Sequence, residues 1–222
     1  MLRRVGLAAL LLAVAGAALF EATLPDVHPL ETSFPKTTAF MDRRRAELAR
    51  RGESARLEWS PVPLSRISPA FQRAVVAAED ARFWQHRGID WEAVTDAARK
   101  DWRAGGLRHG GSTITQQLAK NLYLSPVRSP WRKLREWAIA RRLERTLTKR
   151  RILELYVNVI EFGRRTYGVE AAARRYFGVA ASALTPRQAA TLAAVIASPR
   201  AFDPVRHPRR VELRAQRILR RM

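Results

Sequence analysis

Apolar positions recur three or four residues apart along most of the chain, which is the spacing of one face of an α-helix. One such run leads into two adjacent carboxylates, Glu79 and Asp80. Its apolar positions are Phe71, Val75 and Ala78. Ser68 is a suitable N-cap, and Pro69 suits the first helical position. The pattern predicts a helix that enters the core and carries Glu79 near its C-terminal end.

The same spacing predicts further helices on both sides of this one. They cover residues 38–52, 89–104, 129–149, 150–158, 169–177, 186–197 and 211–222, and one more begins near Gln116. In the helix over 129–149, Leu134 and Leu143 are among the side chains predicted to face the core. Only residues 56–59 and a few neighbours suggest a strand. The predicted fold class is therefore mainly α.

The N-terminus combines Arg3 and Arg4 with an uncharged run from Val5 to Phe20. With Glu21 near the far interface, Val5–Leu24 is just long enough to span a membrane, so residues 1–24 are predicted to be a transmembrane anchor. The two arginines would stay in the cytoplasm, and the rest of the chain would be exported. A cleaved signal peptide is the alternative, because small residues at positions 13–17 resemble cleavage sites.

The formal charge of +21 comes from 41 Lys and Arg against 20 Asp and Glu. Such a surface favours phosphate partners: nucleic acid, anionic lipid head groups or a pyrophosphate substrate. Cysteine is absent, which excludes disulfides, thiolate metal sites and a cysteine nucleophile.

Three features carry candidate chemistry, and each has a structural alternative. Glu79 is either a solvated carboxylate or a general base, its pKa raised by Asp80 and by the helix C-terminus. The glycine turn and hydroxyls from Gly110 to Thr115 form either an anion cradle or a capped helix start. Glu136 is either half of a surface ion pair or a carboxylate inside a cationic patch that binds a diphosphate.

Five short segments follow one another in order and with short spacings. They are Glu79-Asp80 with Phe83, His86 and Gly88; Gly110 to Asn121; Arg132 to Glu136; Lys149 to Asn158; and Gly168 to Ala172 with Tyr176, Phe177 and Gly178. Together they resemble the motifs of the peptidoglycan glycosyltransferase family, whose members polymerise lipid II. The resemblance runs from about Trp59 to Pro199. The length and the missing transpeptidase half resemble the monofunctional branch, so no transpeptidase activity is expected.

The resemblance implies a lysozyme-like helical head with a smaller membrane-associated jaw, preceded by one N-terminal transmembrane helix. The expected division is an anchor at 1–24, a juxtamembrane linker and helix at 25–56, a glycosyltransferase domain at 57–200 and a basic tail at 201–222. The jaw is expected at roughly 89–128, where Trp91 and Trp102 would contact lipid.

The family reaction inverts the anomeric centre, and the resemblance assigns roles to individual residues. Glu79 matches the general base, and Glu136 matches a second essential carboxylate. The diphosphate patch would comprise Lys120, Arg128, Arg132 and Lys133. The donor sugar and phosphate would be positioned by Ser112, Gln117 and Asn121.

The resemblance implies no tightly bound cofactor and leaves a divalent cation open, Mg²⁺ or Mn²⁺, with Glu136 as its candidate ligand. Expected partners are lipid II, the growing glycan chain and membrane lipids, with other cell-wall synthesis proteins as candidates. The expected location is the bacterial inner membrane, single-pass, with the catalytic domain on the periplasmic side.

Two other classes of function stay open from the residues. One is a lysozyme-like hydrolase that uses Glu79 as its acid, although such an enzyme needs no diphosphate patch. The other is a basic nucleic-acid-binding module, against which the exported topology and the lack of a recognised motif argue. Nucleic acid is therefore not an expected partner.

Overall fold

Most residues of the chain lie in α-helices, which agrees with the predicted mainly α class. The computed structural model describes residues 2–104, 106, 111–127, 129–199 and 201–222, without the side chains of 2–5, 8–9, 101–102 and 104. The helices are α1 (Leu2–Ala22), α2 (Ala39–Arg50), α3 (Pro69–Glu79), α4 (Trp91–Ala104), α5 (Ile114–Tyr123), α6 (Pro130–Thr146), α7 (Lys149–Val159), α8 (Val169–Phe177), α9 (Pro186–Ile196) and α10 (Pro208–Leu219). Short 3₁₀ turns cover His28–Glu31, Leu64–Arg66 and Ala181–Ala183.

The N-terminal segment forms the helix α1, as a membrane anchor requires. Within the described ranges, however, no helix is both long enough and apolar enough to cross a membrane. The transmembrane anchor over residues 1–24 therefore stays a prediction.

Two groups of helices form the core. Helix α5 packs against α2, α6 and α7, and helix α9 packs against α3 and α10. Helix α9 can approach its neighbours closely because its buried face is rich in alanine, at positions 189, 190, 193 and 194. The largest wholly buried side chains include Phe71, Tyr156 and Phe162. This core fixes the ends of α3, α5 and α6 relative to one another.

A small sheet ties the connection at residues 57–67 to helix α7. Its strands are β1 (Glu58–Trp59), β2 (Glu161–Gly163) and β3 (Thr166–Tyr167), in the order β1-β3-β2, with β1 parallel and β2 antiparallel to β3. The fully buried Asn158 exchanges hydrogen bonds of 2.9 Å with the backbone of Val62 in both directions. Gly168 follows β3 at a φ of 77°, where a Cβ would lie 2.6 Å from the Asn158 carbonyl oxygen, so only glycine can occupy this position without displacing α7.

Two local predictions are wrong in detail. Ser68 stands at the N-cap position of α3, but its hydroxyl donates to the Leu184 carbonyl at 2.9 Å and does not cap the helix. The helical spacing predicts that Leu134 faces the core, yet it is 46% exposed, beside Trp131 on the outer face of α6. A helical repeat identifies an apolar face, but it does not say whether protein covers that face.

Candidate active site

Glu79 ends helix α3 and faces a cleft of about 420 Å³. The cleft lies between this end of α3, helix α4 and residues 111–113, and Arg221 also lines it. The first and second sequence motifs therefore meet at one opening.

Within the described part of the chain, one oxygen of the Glu79 carboxylate has a hydrogen-bond partner and the other has none. Oε2 accepts from Nε2 of Gln117 at 3.0 Å, and Oε1 of the same Gln117 accepts from the Tyr156 hydroxyl at 2.9 Å. The tyrosine fixes the orientation of the amide, so that its NH₂ group points at Glu79. Among the described residues, Oε1 of Glu79 is buried without a hydrogen-bond partner, and we call it open in that sense alone. A buried carboxylate oxygen left open in this way can accept a proton from a ligand.

The pKa of Glu79 is raised, and burial is the main cause. The hydrogen bond from Gln117 and the charges of Arg214 and Lys120 oppose this rise, while Asp80 adds only the smallest contribution to it. The predicted direction agrees with the structure, and the predicted effect of Asp80 is present but small. Desolvation is the main reason why the pKa of Glu79 is raised.

Asp80 serves the fold of the site. Both of its oxygens lie 3.0 Å from Nε2 of His86, and Oδ2 also accepts from the backbone N–H of Ile114 at 3.0 Å. Ile114 is the first residue of α5, so a protein carboxylate already occupies the positive end of that helix. Thr113 and Gln116 complete a capping box there. Over the described residues from Gly111 onward, the structure therefore shows the capped helix start.

The cationic residues of the third motif gather around Glu136, which is 3% exposed. Its two oxygens accept from Nη1 of Arg132 and Nζ of Lys133 at 2.5 Å each. Lys133 also donates to Oγ of Ser112 at 3.2 Å, which links this cluster to the second motif. Glu136 is thus not half of a solvated surface pair, because its carboxylate is buried beneath two cations.

Lys120 is near both carboxylates of the site. It interacts electrostatically with both Glu136 and Glu79, and burial, together with the nearby Arg132 and Lys133, lowers its pKa. We name Lys120, Arg132 and Lys133 the cationic cluster. One side of the site therefore carries the open carboxylate oxygen, and the other carries concentrated positive charge.

Most of the predicted site residues come together in this region. The described members are Glu79, Ser112, Gln117, Lys120, Arg132, Lys133 and Glu136. Asn121 is 8% exposed and donates to the backbone oxygen of Gln117 at 2.7 Å, so its assignment to substrate stays a prediction. Arg128 and Gly110 lie outside the described residues, as does the side chain of Trp102.

The donor set at Glu136 does not favour a divalent cation. Both carboxylate oxygens already accept from cationic side chains, and the neighbouring Lys120 adds further positive charge. Asp80, His86 and Asp90 do bring possible ligand atoms within 4.8 Å of one another. However, Asp90 accepts from Arg82 at 2.6 and 2.9 Å, and Asp80 is engaged by His86 and Ile114.

Three residues of this region were not assigned a role from the sequence. Tyr156 orients Gln117, and Arg214 on α10 lies 3.6 Å from Oε1 of Glu79. Glu144 accepts from Thr115 at 2.5 Å and from Lys149 at 2.8 Å, and so joins α5, α6 and the start of α7. Glu144 lies on the same helix as Glu136, but no sequence pattern marks it for a role.

A helical domain with an open buried carboxylate beside a cationic cluster is the arrangement expected of an enzyme that transfers a sugar from a diphosphate donor. The profile of the transglycosylase family matches residues 45–222. The chain belongs to the transglycosylase family.

Several proteins named biosynthetic peptidoglycan transglycosylase are similar over most of their length. The protein from Laribacter hongkongensis (strain HLHK9) is 50% identical over 188 residues, which is 85% of this chain and 82% of that protein. The one from Nitrosospira multiformis is 47% identical over 188 residues, with the same two shares. The one from Nitrosomonas eutropha is 48% identical over 191 residues, or 86% of this chain and 78% of that protein.

Proposed function

We propose that this protein polymerises lipid II into linear glycan strands of peptidoglycan by inverting glycosyl transfer, with release of undecaprenyl diphosphate. The observation that carries the proposal is the open Oε1 of the buried Glu79, in a site that also holds the cationic cluster. Membership of the transglycosylase family and the names of the similar proteins support the same reaction.

Glu79 acts on the incoming sugar. Its Oε1 takes the proton of the 4-hydroxyl while the hydroxyl oxygen forms a bond to the anomeric carbon of the growing chain. The bond from that carbon to the diphosphate breaks, and the electron pair leaves with the diphosphate. Gln117 holds the other carboxylate oxygen at 3.0 Å, so the base keeps its orientation while the proton moves.

The cationic cluster acts on the leaving group. A lipid diphosphate needs no proton to leave, but its growing negative charge must be stabilised as the bond breaks. Arg132 and Lys133 supply that charge, and Glu136 holds both in place from beneath. A hydrolase that protonates a sugar leaving group has no use for such a cluster, so these contacts favour transfer from a diphosphate.

We further propose that α1 anchors the enzyme in the inner membrane, with the catalytic domain on the periplasmic side. Large apolar side chains of α1 are exposed, including Leu12 at 74% and Leu19 at 69%. Two arginines of α6 donate to backbone oxygens at the C-terminal end of α1 and just after it. Arg135 donates to Thr23. Arg142 donates to Glu21, Leu24 and Pro25. These contacts support a fixed attachment of the anchor to α6.

Exposed apolar side chains near this attachment, together with Trp91 in the expected jaw, support a membrane-facing surface. Trp131 is 59% exposed and contacts Phe20 at a ring distance of 5.2 Å, and Leu134 lies on the same face of α6. Trp91 on α4 is also 59% exposed. Tryptophan is well suited to the interface between lipid and water, and the position of these residues would bring the site close to its lipid-linked substrate.

The test is incubation of the purified full-length protein with labelled lipid II, followed by separation of polymer, monomer and free disaccharide. The wild type should form polymer, and Glu79→Gln should lose about 10²–10⁴-fold in rate because the general base is removed. Glu212→Gln, a change at a carboxylate on α10 that pairs with Arg187, is the control and should polymerise normally. Free disaccharide without polymer would instead establish a hydrolase.

A further inference from the structure

We propose that Arg214, on the C-terminal helix α10, is a positioning residue that holds Glu79 ready as the base. The inference rests on the proposed function, since it gives Arg214 a role in the reaction that Glu79 performs. The segment 201–222 would then be part of the active site and not a basic tail.

The positive charge of Arg214 lies near Glu79 without a hydrogen bond to Oε1, the oxygen that would accept the substrate proton. Nη2 of Arg214 lies 3.6 Å from Oε1 of Glu79, where the two side chains are 29% and 10% exposed. This distance is too long for a hydrogen bond. Oε1 therefore stays open for a substrate proton while the guanidinium stabilises the ionised carboxylate across the gap.

Packing holds the guanidinium in this position. Its central carbon lies 5.4 Å from the ring centre of Phe202, on the segment before α10. Val211, Ala215 and Ile218, on the adjoining face of α10, are buried against the core formed with α9 and α3. Arg214 is therefore carried by a rigid helix, and its reach toward Glu79 does not depend on a mobile terminus.

The charged and titratable groups that face Glu79 come from several elements. Asp80 follows directly after the end of α3, Lys120 comes from α5, Tyr156 from α7 and Arg214 from α10, while Arg221 lines the same cleft. Lys120 is shared with Glu136, and burial lowers its pKa. An arginine stays protonated at any working pH, so Arg214 gives Glu79 a permanent positive neighbour.

The experiment compares Arg214→Gln and Arg214→Lys with the wild type in full-length protein. The readouts are the pH profile of kcat/KM for lipid II and the titration of the Glu79 carboxyl carbon by ¹³C NMR, assigned by its loss in Glu79→Gln. Without the positive charge the protonated acid is favoured, so Arg214→Gln should move the acidic limb of the profile to higher pH. On the acidic limb, kcat/KM of Arg214→Gln should be at least about threefold lower than that of the wild type at the same pH. Arg214→Lys should restore most of the profile.

Arg210→Gln is the matched control. Arg210 stands one turn earlier on α10 and lies 6.0 Å from the same Phe202 ring. It should leave both readouts unchanged. If Arg214→Gln melts early, Arg214→Met takes its place, because the methionine keeps an apolar stem against Phe202.

Unchanged limbs and an unchanged Glu79 titration in the uncharged variants would overturn the role of Arg214. Equal shifts in Arg210→Gln would also overturn this role, because the loss of any arginine on α10 would then change both readouts. A wild type that forms no polymer would instead reject the proposed function. The NMR titration would still show whether Arg214 acts on Glu79, so the two failures are distinguishable.

Discussion

At the scale of single residues, Glu136 is a charged side chain that is more deeply buried than its two cationic partners. Its carboxylate is 3% exposed, whereas the side chains of its partners Arg132 and Lys133 are 17% and 35% exposed. Water can therefore reach the two cations if the carboxylate is neutralised, but their arrangement around the site would be lost. This asymmetry predicts that Glu136 matters more for turnover than for folding.

Glu136→Gln should cut the rate of lipid II polymerisation by about 10²-fold, because the diphosphate would lose ordered cationic partners. The same change should cost about 1–3 kcal/mol of unfolding free energy, since it breaks two charged hydrogen bonds with partly exposed partners. The rate and the thermal melting curve are to be measured on one preparation.

Glu154→Gln is the matched control for this substitution. Glu154 pairs with Arg151 at 2.5 Å and at i,i+3 spacing, like Glu136 with Lys133, but on helix α7. Glu154 makes one such pair and Glu136 makes two, so Glu154→Gln should lose less stability, and it should keep its turnover. Equal turnover losses in the two variants would return Glu136 to a purely structural role.

At the scale of elements, helix α5 organises the site. Its N-terminus is bound by Asp80, and its next turn presents Gln117 to Glu79. Its opposite face buries Leu118 and Leu122 in the core. Because Tyr156 of α7 fixes the Gln117 amide, the orientation of the base depends on how α5 and α7 pack.

Tyr156→Phe tests this dependence. Burial raises the pKa of Tyr156 well above its usual value, so its hydroxyl remains protonated and donates to Gln117 at every working pH. The variant should lose about 1 kcal/mol of stability for one hydrogen bond. It should also lose turnover by about three- to tenfold, because Gln117 can then rotate and misplace Glu79.

Tyr176→Phe is the control for that measurement. Tyr176 lies on helix α8, and its hydroxyl donates to the backbone oxygen of Phe162 at 2.8 Å. It should show a similar loss of stability with unchanged kcat. If both tyrosine variants keep full kcat, the hydrogen-bond chain from Tyr156 to Glu79 has no part in turnover.

At the scale of the whole molecule, the proposed anchor decides where the reaction takes place. The retained anchor and the cleaved signal peptide differ in the mature N-terminus, and retention is favoured because both small-residue sites lie inside the continuous helix α1. Intact mass measurement of the membrane-extracted protein should therefore show residues 1–24 still attached. A mature N-terminus at Gly16 or Ala18 would show cleavage at one of the two small-residue sites.

The sequence by itself determined what depends on neighbours along the chain. The apolar repeat predicted the helices, since that pattern is local. Glu136, Arg132 and Lys133 could be placed together because residues three and four apart share a helix face. The ordered motifs indicated the family, and with it Glu79 as the candidate base.

Only the tertiary structure decided what depends on packing between distant segments. The burial that raises the pKa of Glu79, and the turn of Asp80 toward α5, both require elements that lie far apart in sequence. The approach of Arg214 to Glu79 has no sequence signal, because α10 reaches α3 through packing alone. The exposure of Leu134 has the same origin, since a helical repeat specifies a face but not what covers it.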